Sequence, residues 1–135
     1  MGAAEKILKI LIVDDSRIMQ NILKNSFDEK EAWGKTEFLT ASNGEEALKI
    51  TDKETIDVLL LDWNMPKLDG LSVLKRLRAS EKYRDLPIIM ITSEAAKYNV
   101  IEALKAGVSD YIIKPASRKI LIDKIKGFIL YKGGY

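Results

Sequence analysis

The chain has 135 residues, 47% of them apolar and 31% charged, proportions that fit one globular domain with an ordinary core and exclude a disordered body. It contains no cysteine and no histidine, which rules out disulfides, thiolate or imidazole metal sites, a histidine-based triad and a phosphohistidine made on this chain. The formal net charge is only +2, and the lysines and arginines are scattered rather than blocked with aromatics, so a nucleic-acid partner is not expected.

Taken in chain order, short apolar runs alternate with stretches of helical period. The first strand is predicted over 8–13 and leads into a helix marked by Ile18, Ile22, Leu23 and Phe27, with Asp15 or Ser16 as its cap. A second strand, 37–41, precedes a helix opened by Asn43-Gly44 and carrying Ala47, Leu48 and Ile50. A third, 56–61, is followed by Leu71, Leu74 and Leu77 at helical spacing. The fourth, 87–91, leads to a helix with Val100, Ile101 and Leu104, ended by Gly107. The fifth, 110–113, leads to a last helix bearing Ile120, Leu121, Ile125, Phe128 and Ile129, which the internal Gly127 weakens but does not break.

Val58, Leu59, Leu60 and Leu61 run together without alternation, as a parallel strand covered on both faces requires. Alternating strands and helices with right-handed crossovers give an α/β, doubly wound parallel sheet of five strands and five helices. No apolar run is long enough to span a membrane, the N-terminus lacks a signal-peptide layout, and Met1-Gly2 is followed by Lys6 where myristoylation wants Ser or Thr. A cytoplasmic location without membrane insertion is therefore expected. The domain is placed at 7–131, with 1–6 and 132–135 as flexible ends.

In such sheets ligands bind at the carboxyl ends of the strands. There the sequence puts Asp14-Asp15 after the first strand, Asp62 after the third, Thr92-Ser93 after the fourth and Lys114-Pro115 after the fifth. Each has a bland explanation on its own: a helix cap, a loop carboxylate, a β-branched strand residue, a solvated lysine before a turn proline. Their common position is harder to dismiss. Three clustered carboxylates repel unless something cationic joins them. One divalent ion and Lys114 balance the charge, and an oxygen-only site suits Mg²⁺.

Several segments carry a resemblance: Val13-Asp14-Asp15-Ser16, Asp62-Trp63-Asn64-Met65-Pro66, Asp69-Gly70, Thr92-Ser93-Glu94, Ala106-Gly107 and Asp110-Tyr111-Ile112-Ile113-Lys114-Pro115. In this order and spacing the chain resembles the receiver domain of two-component response regulators, most of all the stand-alone chemotaxis kind, from about Ile7 to about Tyr131. The resemblance implies a flavodoxin-like strand order 2-1-3-4-5 and a phosphoacceptor role for Asp62. It implies Mg²⁺ ligation by Asp15 and Asp62 directly, by the Asn64 backbone carbonyl, and by Asp14 through water. Lys114 would hold the phosphoryl group, and Thr92 would bind it once attached. Tyr111 would move inward as Thr92 moves, and Lys114-Pro115 would be a cis peptide. Asn64 and Glu94 would tune hydrolysis. Ser93 stands where the stand-alone kind usually has alanine, and a small residue there preserves access to the site.

A histidine kinase or small acyl phosphate would be the donor, because the chain has no histidine of its own. A downstream protein would read the face of the fourth helix, fifth strand and fifth helix, where Tyr111 is joined by Lys97, Val100, Leu104 and Lys124. Apolar residues rimmed by lysines suit a partner helix with acidic flanks. The chain is expected to be a monomer and a regulatory phosphoacceptor rather than an enzyme. A phosphorelay intermediate or a receiver excised from a longer regulator are the alternatives. A haloacid-dehalogenase-like phosphatase would want an aspartate where Asn64 stands, and a nucleotide or flavin module would meet repulsion from Asp14-Asp15.

Overall fold

The apolar runs form the strands β1 (Ile7–Val13), β2 (Lys35–Ala41), β3 (Val58–Leu61), β4 (Ile88–Thr92) and β5 (Asp110–Ile113) of a computed structural model that describes residues 7–27 and 35–133. All neighbouring strands pair in parallel, in the order β2-β1-β3-β4-β5. The helices between them are α1 (Arg17–Asn25), α2 (Gly44–Lys53), α3 (Gly70–Arg78), α4 (Lys97–Lys105) and α5 (Arg118–Gly133). This is the doubly wound α/β sheet that the alternation of elements predicts. Residues 1–6, Gly134-Tyr135 and the Ile129 side chain, for which the sequence raises expectations, lie outside the described residues, as does Trp33.

Side chains alternate across a strand, so β1 feeds two cores. Ile10 and Ile12 join Leu23 of α1 and Leu121, Ile122 and Ile125 of α5 on one face. Leu11 and Val13 join Ala47 of α2, Val73, Leu74 and Leu77 of α3, and Ala103 of α4 on the other. The central strands β3 and β4 are buried along their whole length, as strands between two helical layers must be.

The boundaries differ from expectation where a side chain or proline intervenes. Residues 56–57 are not part of β3: the Asp57 carboxylate accepts the Lys9 amide at 2.8 Å and stands in for a ladder bond. Pro87 has no N–H to give and contributes only its carbonyl to Leu59, so β4 starts at Ile88 and runs through Thr92. Caps follow the sequence closely. Ser16 receives the Met19 amide and Asn43 the Glu46 amide, while Gly107 closes α4 with a left-handed φ of 97°.

Two helical faces are corrected. In α1 the periodicity of Ile18 and Ile22 suggests a core face, yet Ile18 is 72% exposed and Ile22 is exposed too, while Gln20 and Leu23 are buried. In α4 the buried residues are Asn99 and Ala103, leaving Ile101 and Leu104 exposed. In both helices a polar side chain with hydrogen-bond partners takes an inward position that an apolar count assigns to its neighbours.

Candidate functional site

Strand register brings the rim together. Val13 lies opposite Leu61, so Asp14 and Asp62, the next residues on β1 and β3, leave the sheet side by side. Their amides remain tied to it: Asp14 N–H donates to Ala41 and Asp62 N–H to Val13. Thr92 pairs with Ile113 at the ends of β4 and β5, and the Lys114 amide donates to the Thr92 carbonyl at 2.9 Å.

One oxygen from each of Asp14, Asp15 and Asp62 falls within 4.8 Å of the others. Asp14 and Asp62 are buried, whereas Asp15 is exposed at the mouth. Lys114 Nζ lies 2.8 Å from Asp14 Oδ2 and 3.2 Å from Asp62 Oδ2. Burial alone would pull this ammonium down; the hydrogen bond to Asp14 and the charges of Asp62 and Asp14 outweigh it and hold Lys114 above its ordinary value. Asp62 Oδ1 accepts the Trp63 amide at 2.7 Å. One lysine thus serves two carboxylates, and the third faces solvent. These hard oxygens fit a small divalent cation entering beside Asp15.

The supports of this cluster are tight. Asp14 Oδ1 accepts the Ser16 amide at 2.9 Å, and the buried Gln20 amide donates to the Asp14 carbonyl at 2.7 Å. After Asp62 the chain turns through Lys67, at a left-handed φ of 68°, and returns so that Gly70 N–H donates to the Trp63 carbonyl. The Lys114–Pro115 peptide is cis.

A second group of contacts surrounds Glu94. Its carboxylate accepts the side-chain amides of Asn64 at 2.6 Å and Asn99 at 3.2 Å. Its own N–H donates to Thr92 Oγ1, and its carbonyl accepts the Tyr111 hydroxyl at 2.5 Å. Tyr111 packs partly buried against the core. Burial first, then the charges of Glu94 and Asp62, raises its phenol above the usual value. On the neighbouring surface Lys97 and Leu104 are exposed and Val100 is half-buried. Lys124 pairs with Asp110 at 2.9 Å.

Asp14, Asp62 and Lys114 directly follow β1, β3 and β5 and Asp15 follows Asp14, while Thr92 is the last residue of β4 rather than the first beyond it. Gln20 and Asn99 escape a sequence reading. Their only signal is a polar residue at an inward helical phase, and their partners lie outside their own helices.

A family model described as the response regulator receiver domain matches residues 10–126. The chain is 45% identical over 120 residues to a chemotaxis protein CheY homolog of Campylobacter jejuni, covering 88% of this chain and 90% of that one. It is 42% identical over 120 residues to chemotaxis protein CheY1 of Helicobacter pylori, covering 88% and 94%. The receiver domain of Francisella response regulator 1452 superposes with a TM-score of 0.79 at 35% identity, covering 95% of this chain and 99% of that one. With the family's motifs on the rim and its sheet order beneath them, the chain belongs to the response regulator receiver domains.

Proposed function

We propose that the chain is a Mg²⁺-dependent phosphoacceptor of a two-component system, which takes a phosphoryl group onto Asp62 and passes the signal to a protein partner, most naturally in chemotaxis. The observation that carries this reading is the Asp14–Asp15–Asp62 cluster with Lys114 shared between two of its members. Phosphoryl transfer asks a protein for an in-line nucleophile and neutralised oxygens rather than for covalent ingenuity. Asp62 supplies the nucleophilic oxygen, and Lys114 is poised to follow the charge from the carboxylate to the incoming phosphoryl oxygens. The bond from phosphorus to the donor, a phosphohistidine of a kinase or a small acyl phosphate, breaks as the bond to Asp62 forms. Asp14, Asp15, Asp62 and the Asn64 carbonyl would hold the Mg²⁺, whose charge screens the approaching oxygens from the carboxylates.

Thr92, buried at the end of β4, binds the phosphoryl group after a small shift of its hydroxyl. Tyr111 reports that shift to the α4–β5–α5 face, where Lys97, Val100, Leu104 and Lys124 meet the partner. The exposure of Leu104, with Ile101 and Tyr98 beside it, supports that surface as a docking face. Asn64 and Glu94 tune the lifetime of the phosphoprotein. The reading includes a cytoplasmic monomer without nucleic-acid partners. No described helix is long and apolar enough to cross a membrane.

Incubation with acetyl phosphate and Mg²⁺ should add one phosphoryl group, seen by intact-protein mass spectrometry. Asp62→Asn should abolish the addition. Asp57→Asn and Asp69→Asn should retain it, because those carboxylates accept the backbone amides of Lys9 and Ser72 and are not part of the Asp14–Asp15–Asp62 cluster. Labelling that survives in Asp62→Asn refutes the assignment.

The metal is tested separately. With Trp33 replaced by Phe, Mg²⁺ should change the fluorescence of Trp63, whose amide donates to Asp62. Asp15→Ala removes the exposed carboxylate and should weaken the titration at least tenfold, on the scale of a lost charged ligand. An unchanged titration rejects the site.

A further inference from the structure

We propose that Asn99 is a positioning residue for the resetting step: it holds the Glu94 carboxylate beside Asn64 and so sets how fast a phosphoryl group leaves Asp62. The inference rests on the phosphoacceptor reading above.

Asn99 is only 9% exposed, on the inward face of α4 with Ala103. It stands at the third position of that helix, whose cap residue Ala96 offers no side-chain acceptor. Its main-chain N–H donates to the Ala96 carbonyl, and its side-chain amide reaches back to Glu94, two residues before the cap, at 3.2 Å. An ionised carboxylate only accepts, so both Asn99 and Asn64 must present their NH₂ groups to it. They take different oxygens, Asn99 on Oε2 and Asn64 on Oε1. The main chain of Glu94 is held as well, by Thr92 Oγ1 and by the Tyr111 hydroxyl. A glutamate in a loop ordinarily keeps its rotamer freedom. This one is fixed from β4, β5, α4 and the loop that follows Asp62.

Asn64 lies two residues past Asp62, so the fixed pair flanks the approach to a phosphoryl group on that side chain. In the resetting step a water oxygen attacks phosphorus and the bond from phosphorus to the Asp62 oxygen breaks. The bonding pair returns to the Asp62 carboxylate, and both protons of the water leave on inorganic phosphate. Orienting that water needs fixed neighbours, and small misplacements of such groups are costly in rate. Asn99 acts through Glu94, the carboxylate that its side chain holds.

The experiment labels the full chain with acetyl phosphate and Mg²⁺, removes the donor by desalting, and follows loss of the phosphoryl mass over time. Asn99→Ala should slow the decay about fivefold, well inside the range that misplacement can produce. Asn99→Asp keeps the size but sets a carboxylate against Glu94, and should slow it more. In a Glu94→Ala background, Asn99→Ala should add nothing. That last result separates positioning from a general loss of stability, which would persist without Glu94. Should Asn99→Ala fold poorly, Asn99→Asp and Asn99→Ser carry the same comparison. Normal labelling with unchanged or faster decay overturns this inference alone, as does a slowing of equal size in the Glu94→Ala background. A wild-type chain that takes no label overturns the phosphoacceptor reading, and this inference with it.

Discussion

Gly70→Ala should lower the melting temperature by about 10 °C or more, while the same change at Gly127 leaves it unchanged or raises it. A methyl group on Gly70 would sit 2.0 Å from the Asp62 carbonyl oxygen and 2.9 Å from both Asp62 C and Trp63 Cα. These are backbone atoms, and Asp62 is itself tied to β1 through its amide. Neither side can yield without moving the nucleophile or pulling α3 from its core, where Val73, Leu74 and Leu77 are buried. Overpacking of an ordinary core costs about 1–3 kcal/mol, and a clash against fixed backbone belongs at or above the top of that range. Around Gly127, in α5, nothing lies within 4 Å of the added carbon. Alanine there gains helix propensity, worth up to about 1 kcal/mol. Thermal unfolding of the two variants against wild type is the measurement. If Gly70→Ala melts with wild type, the approach of α3 to Asp62 is looser than described.

That glycine also marks where sequence reading stops. Asp69-Gly70 is visible as a motif, and Asp69 caps α3 as its type suggests. The need for glycine is not visible, because it comes from Asp62 folding back over the helix start. The sheet was legible for the opposite reason: each strand of the βαβ alternation carries its own apolar run, and crossover rules fix the hand. The rim followed, since residues after parallel strands share one edge. The inner faces of α1 and α4 were not legible. Gln20 is buried because the Asp14 carbonyl accepts its amide and the Ala41 carbonyl lies 3.3 Å away, and Asn99 because Glu94 meets it. A polar residue becomes acceptable inside only when its partner is in place, and one of these partners lies 21 residues along the chain. An apolar count sees Ile18 and Ile22 and has no term for those partners.

Lys114→Met should destabilise the metal-free protein at neutral pH by about 3 kcal/mol, and Mg²⁺ should recover part of that loss. Methionine keeps most of the aliphatic stem and deletes the charge. What remains is Asp14, whose side chain is 2% exposed, next to Asp62 and Asp15 with nothing cationic between them. Removing one partner of a buried pair costs more than the pair contributes, because the other charge stays buried. The pH dependence follows from the direction of the Lys114 shift. Its pKa in the folded chain is raised above the ordinary lysine value of about 10.4. A raised value means that the folded state holds the proton more tightly than the unfolded state. The stabilisation is therefore complete below the unfolded lysine value and is lost as pH rises through the folded one. The gap between wild type and Lys114→Met should stay level through neutral pH and close only above about pH 10.5. Denaturant unfolding in chelator, repeated with millimolar Mg²⁺ and at alkaline pH, measures all three expectations. Asp62→Asn in the Lys114→Met background should restore some stability by removing one of the repelling charges. If Lys114→Met matches wild type in chelator, the lysine is not what holds these carboxylates together.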